Sequence, residues 1–130
     1  MAFNWVRYHQ RMKAVLPDTN IILWTFNGGP DFREAIKEAI PGSNIAIPNC
    51  VLQELKKLNT KHAKAALQIC NTLPMEDIGE GYADSRLIEA AKKGFTIATN
   101  DKEILTKLKL LKINALKIRE KTKLVSTEGI

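Results

Sequence analysis

Four carboxylates stand at places in this chain that chemistry as well as structure could use. Asp18 follows the apolar run Ala14-Val15-Leu16-Pro17 and precedes Thr19, Asn20 and further apolar residues, and Asp101 follows Phe95-Thr96-Ile97-Ala98-Thr99-Asn100. Short apolar runs without alternation are the pattern of strands buried on both faces. Both acids are therefore expected at carboxyl ends of strands in an open α/β sheet, where such sheets bind ligands. Asp84 is followed by Leu87, Ile88 and Ala91 at +3, +4 and +7, which sets it on the apolar face of its own helix. Glu54 lies about 40° from Leu58 and about 60° from Val51 around a helix, on the flank of an apolar stripe. Each has a purely structural alternative. Asp18 and Asp101 could cap the helices that follow, Asp84 could serve a helix N-terminus, and Glu54 could reach out to water.

The ends of parallel strands and the starts of the helices after them share one edge of a sheet. Asp18, Asp84 and Asp101 converge there by topology, and Glu54 joins them from the early turns of its helix. Uncompensated carboxylates in one cleft repel, and a divalent cation relieves them. Oxygen-only ligands favour Mg²⁺ or Mn²⁺ over zinc, and such ions work with phosphates, activating water and stabilising charge in phosphodiester chemistry.

The elements that must position these acids follow from the same string. After the first strand, Ile21 to Phe26 is expected as a helix stopped by Asn27-Gly28-Gly29-Pro30. Asp31 then caps a helix with Phe32, Ala35, Ile36, Ala39 and Ile40 on one face. Ile45-Ala46-Ile47 is a second strand closed by Pro48, and Asn49 is expected to cap a helix striped by Val51, Leu55 and Leu58. Thr60 to Leu73 makes another helix, and the segment from Pro74 to Gly81 reads as a loop. A helix then leads to the strand Phe95–Thr99, a helix with Ile104, Leu105 and Leu108, and a last strand over Asn114–Ile118, with Lys121 onward as a tail. This alternation predicts a three-layer α/β/α fold around a central parallel sheet. Residues 1–12 are expected to be an extension, 13–125 the functional domain and 126–130 a tail.

With 130 residues, 45% hydrophobic and 26% charged, one globular core is expected. No apolar run is long enough to span a membrane, and Met1 to Met12 carries no apolar core of a secretory signal. Cys50 and Cys70 form no metal-binding spacing, which predicts buried fillers in a reducing, cytoplasmic setting. The net charge of +6 is localised: from Lys102 to Lys123 eight basic residues face only Glu103 and Glu120, while the remainder balances at twelve against twelve. That distribution points to a polyanion, nucleic acid above all. Lys102 and Lys107, with Lys56, Lys57, Lys61 and Lys64, are the expected grips on its phosphates. The alternative is a solvated lysine-rich face.

Taken together, Asp18-Thr19-Asn20 after a strand, Glu54-Leu55 in a helix, Ala83-Asp84 before Leu87-Ile88-Glu89-Ala90-Ala91, and Thr99-Asn100-Asp101-Lys102 after a strand resemble a PIN domain. The resemblance covers about Lys13 to Val125 and implies a Mg²⁺- or Mn²⁺-dependent nuclease acting on RNA. It would make Asp18, Glu54, Asp84 and Asp101 the metal-binding acids and Thr99 the hydroxyl residue near the site, expected to touch the metal-bound water or phosphate, with Asn20 an orienting neighbour on the substrate-binding side. Tyr82-Ala83-Asp84 and Ala98–Lys102 look most like the ribosomal RNA processing branch, with toxin-type ribonucleases the nearest rival. Homodimers and an antitoxin or ribosome-assembly partner are further implications. One departure is Ser85, where many members carry another Asp, which bears on a second metal. A haloacid-dehalogenase-type phosphatase would need an acid at the place of Asn20. A receiver domain would need paired early acids and a late lysine, and a non-cleaving PIN-like binding module would have lost an acid.

Overall fold

The computed structural model describes residues 13–127; the expected extension over 1–12 and the last residues of the tail lie outside them. Six strands and six helices follow one another: β1 (Val15–Pro17), α1 (Thr19–Trp24), α2 (Phe32–Ala39), β2 (Ile47–Pro48), α3 (Asn49–Leu58), α4 (Lys61–Cys70), β3 (Met75–Glu76), α5 (Ala83–Lys92), β4 (Thr96–Ala98), α6 (Lys102–Leu110), β5 (Leu116–Arg119) and β6 (Lys123–Ser126).

One four-stranded sheet has the order β1-β4-β5-β6, parallel except for the final β5–β6 pair. A parallel pair, β2-β3, is stitched to its other edge by a bridge between Val15 and Ile45. The Val15 N–H donates to the Asn44 carbonyl at 2.8 Å and the Ala46 N–H to the Val15 carbonyl at 3.1 Å. The spatial succession is thus β3, β2, β1, β4, β5, β6. From β1 the chain first builds outward through β2 and β3, then returns to add β4 and β5 on the other side. The crevice beyond the carboxyl end of β1 is the switch point where open α/β sheets hold ligands.

Two apolar clusters sandwich the sheet. One packs Val15, Ile21, Ile22, Phe32, Ile36, Ile47, Val51 and Leu55 with residues of α4; the other packs Leu16, Leu87, Ile97, Ile104 and Leu108. Successive residues of β1 point to opposite faces, so Val15 enters the first cluster and Leu16 the second. Pro17 closes β1, where its missing N–H is tolerated. The Asp31 carboxylate caps α2 by accepting from the Arg33 N–H at 2.9 Å, and the Thr60 hydroxyl caps α4 by accepting from the Ala63 N–H at 3.1 Å. Cys50 and Cys70 are buried; desolvation lifts the Cys70 thiol to about 11, which leaves it protonated and inert.

Four local expectations are corrected. Met75–Glu76, expected in a loop, is β3, paired to β2 in a register too short to leave a periodic signal. Lys121 onward is no tail at first: Lys123–Ser126 returns antiparallel along β5 after a turn in which Glu120 and Lys121 both have positive φ, 55° and 62°. A tight hairpin turn usually advertises itself through Gly or Asn, and here neither is present. Leu58 is not core but 44% exposed. Asn49 does not cap α3, whose N-cap is Pro48 without a side-chain bond; its amide is used elsewhere, as described below.

Candidate active site

All four acids line one cleft of about 440 Å³, together with Thr19, Asn20, Leu23, Leu58, Tyr82, Ala83 and Ile104. Asp18 comes from the end of β1, Glu54 from the second turn of α3, Asp84 from the first turn of α5, and Asp101 from the residue before α6. No basic side chain is among the described residues of that lining. Four acids thus share a crevice with no cation among the described lining residues to offset them.

Asp18 is the most constrained. It is 7% exposed, and its Oδ1 accepts from the Thr19 N–H at 2.8 Å. Its Oδ2 accepts from the Thr99 hydroxyl at 2.9 Å and, at a long 3.4 Å, from the Asn20 amide. Burial pushes its carboxyl above the ordinary range; the bonds from Thr99 and Thr19 oppose that, while Glu54 and Asp101 add to it. Asp101 caps α6: its Oδ1 accepts from the N–H groups of Glu103 at 2.8 Å and Ile104 at 3.2 Å. The Asp84 Oδ1 accepts from the Ser85 N–H at 2.9 Å. Glu54 is exposed on the cleft side of α3.

Thr99 lies behind the acids with no exposed surface. Its hydroxyl donates to Asp18 and accepts from the Asp101 N–H at 3.1 Å, so one oxygen ties the two strand-end acids together. Asn20 adds a second tie by accepting from the Asn100 N–H at 3.2 Å. A third is the Asp18 N–H, which donates to the Ala98 carbonyl at 2.8 Å. The ends of β1 and β4 are therefore fixed to each other by side chains as well as by the sheet.

A residue outside the expected set organises the other half of the cleft. Asn49, the first residue of α3, accepts from the Ile78 N–H at 2.9 Å and donates to the Gly79 carbonyl at 3.1 Å. It joins the Glu54-bearing helix to the segment that leads into the Asp84-bearing helix. In the sequence it looks like an ordinary helix cap, and no local signal separates the two uses. Lys56, Lys102 and Lys107 are exposed and lie outside the cleft lining.

The donor set suits a hard divalent cation. It is all oxygen, it is uncompensated, and the Thr19 hydroxyl in the cleft wall is buried with no hydrogen-bond partner. Among the described residues no three His, Cys, Asp or Glu side chains stand close enough to enclose an ion by themselves. Mg²⁺ is commonly bound through one or two carboxylates and keeps several waters. Asp18, oriented by Thr99 and Thr19, and Asp101 could hold such an ion directly.

Comparison with known proteins bears on this arrangement. No family profile matches the chain. It is 28% identical over 122 residues to a protein of Methanocaldococcus jannaschii named Ribonuclease VapC4, the match covering 85% of this chain and 93% of that one. Among solved structures it is similar to the PIN domain endonuclease Utp24, with a TM-score of 0.77 and 23% identity over 92% of this chain and 95% of that one. The chain thus has a PIN-like fold.

Proposed function

We propose that the chain is a divalent-metal-dependent endoribonuclease that hydrolyses RNA phosphodiester bonds at Asp18, Glu54, Asp84 and Asp101. The observation that carries this reading is the meeting of four carboxylates, without a described cation, at the switch point of the sheet. The sequence likeness to a ribonuclease and the fold likeness to an endonuclease support it. A bound Mg²⁺ or Mn²⁺ would supply Lewis-acid polarisation of the phosphate and a more acidic attacking water. The chain's own residues do the rest. Asp18 and Asp101 would hold the ion, with Glu54 and Asp84 completing the site directly or through water. Thr99 fixes the orientation of Asp18 and the backbone of Asp101, and is a positioning residue rather than a contact to phosphate. Asn20 keeps the β1 and β4 ends in register. Lys102, Lys107 and Lys56 attract the polyanion and contact its phosphates outside the cleft, which positions without specifying sequence.

Within this reading the Tyr82-Ala83-Asp84 and Ala98–Lys102 segments favour a substrate in ribosomal RNA processing. Such a chain would work beside an assembly factor, as a monomer or a homodimer. The likeness to Ribonuclease VapC4 favours the second reading, a toxin-type ribonuclease held by an antitoxin.

The test is cleavage of a pool of structured and single-stranded RNA in Mg²⁺, Mn²⁺ or EDTA by wild type, Asp18→Asn and Asp101→Asn. Cutting that needs the metal and vanishes in both folded variants is the expected result. RNA that is bound but never cut in either metal would leave a binding module in place of the enzyme.

A further inference from the structure

Tyr82 breaks two local rules at once. It is 85% exposed, the most exposed of the large apolar side chains described. It also occupies the N-cap position of α5 without making a side-chain cap bond. Ser, Thr, Asp and Asn are the residues that stabilise that position. An aromatic ring there forgoes the cap and gains no burial. Among the described residues its ring stacks on no other ring and its hydroxyl bonds nothing. Local rules are broken chiefly where function compensates.

The ring is nevertheless held by fixed backbone. Its residue has extended φ and ψ of −68° and 135°, and its carbonyl accepts from the Arg86 N–H at 3.1 Å. Asn49 ties down the segment just before it through Ile78 and Gly79. Tyr82 stands two residues before Asp84 and lines the same cleft as the four acids, with the half-buried Leu23 and the exposed Leu58 as apolar company. The cleft therefore has two chemistries side by side: carboxylates suited to a cation and a phosphate, and an aromatic–aliphatic rim suited to a flat apolar group.

We propose that Tyr82, which shares the cleft wall with Leu58 and Leu23, seats one unpaired nucleobase of the RNA so that an adjoining phosphate lies over the acids. Paired bases keep their faces stacked inside a duplex, and only an unstacked base can lie on an aromatic side chain. The seat takes an unstacked base with little preference among bases, because every base has a π-face. The placement of the phosphate rests on the nuclease reading; the stacking does not.

The test is fluorescence anisotropy with a labelled single-stranded oligoribonucleotide made cleavage-resistant by phosphorothioate linkages, in Mg²⁺, beside the same RNA as a duplex. Wild type is compared with Tyr82→Ala, Tyr82→Phe and Tyr82→Trp, all expected to melt alike because the side chain is exposed. Tyr82→Ala should weaken single-strand binding about tenfold, the scale of one base–aromatic stack. Tyr82→Phe and Tyr82→Trp should stay close to wild type, and duplex binding should not respond to any of the three. Single-strand binding untouched by Tyr82→Ala, or a loss shared equally with the duplex, overturns the seat. So does a homodimer, seen by sedimentation, that Tyr82→Ala dissolves, because a second copy would then be what covers the ring. Tyr82-dependent binding by a protein that cuts no RNA keeps the seat and removes the nuclease reading. RNA cutting with no Tyr82 dependence does the reverse.

Discussion

At the scale of the residue, capping leaves room for a role in the site. Asp101 caps α6 through Oδ1, and Asp18 caps α1 through Oδ1 while Thr99 holds its Oδ2. A cap bond uses one oxygen and fixes the carboxylate's orientation, which a metal ligand also requires. Sequence reasoning treats these as rival explanations because it sees a residue type, not two oxygens. The ionised form of Asp18 is disfavoured in the fold by burial and by Glu54 and Asp101, so its carboxyl titrates above the ordinary 3.8. For an acid raised in this way, stability is lost as pH rises from the unfolded value through the folded one, and the loss persists at neutral pH. Asp18→Asn keeps an acceptor for the Thr19 N–H and can donate to the Thr99 oxygen, while removing the charge. In EDTA at neutral pH the variant should therefore melt above wild type, and the gap should close as pH falls toward 4. Added Mn²⁺ should raise the melting temperature of wild type and leave Asp18→Asn nearly unmoved. A wild type that gains nothing from Mn²⁺ would deny the metal site independently of any activity assay.

At the scale of the element, the strands that carry Asp18 and Asp101 were legible because burial on both faces writes an uninterrupted apolar run. The amphipathic helices were legible from their spacing. What was not legible has a physical cause in each case. β3 has two residues and, among the described residues, pairs with β2 alone, so no pattern can accumulate. The β5–β6 turn uses Glu120 and Lys121 at positive φ, where residue type gives no warning. Asn49 sits where a cap belongs, yet its amide bonds the 78–79 backbone some thirty positions away, a contact that no local pattern encodes. That contact sets the relation between the Glu54 and Asp84 helices. Asn49→Ala removes two hydrogen bonds to backbone, each of about 1 kcal/mol net, and should lower stability by roughly 1–2 kcal/mol in chemical denaturation. It should also slow cleavage by a larger factor than it weakens RNA binding, since the basic surface is untouched. Asn49→Asp retains the acceptor for Ile78, loses the donor to Gly79, and should fall between. Equal activity in all three proteins would mean that the two helices hold their places without this tie.

At the scale of the whole molecule, the charges are divided between two surfaces. The acids gather in a cleft with no basic lining among the described residues, while Lys102, Lys107, Lys109 and Lys112 on and just after α6 are exposed. None of these four takes part in the ion pairs described, which join Arg33 to Asp31 and Lys92 to Glu89. A chain that draws a polyanion toward a crevice of carboxylates needs this separation, because a lysine inside the crevice would compete with a cation for the acids. The net excess was legible from the sequence; its placement outside the cleft required the fold. Counterion release gives the separation a measurable consequence. Each lysine that contacts a phosphate of single-stranded RNA contributes about 0.7 to the slope of log affinity against log salt. Replacing Lys107, Lys109 and Lys112 together by Gln should therefore flatten that slope by about 2 and weaken binding at low salt far more than at high salt. Because these side chains are outside the cleft, cleavage at saturating RNA should keep its rate while the RNA needed for half saturation rises. If the rate at saturation fell instead, the lysines would be acting at the reacting phosphate, and the division of the molecule into a gripping face and a cutting cleft would have to be abandoned.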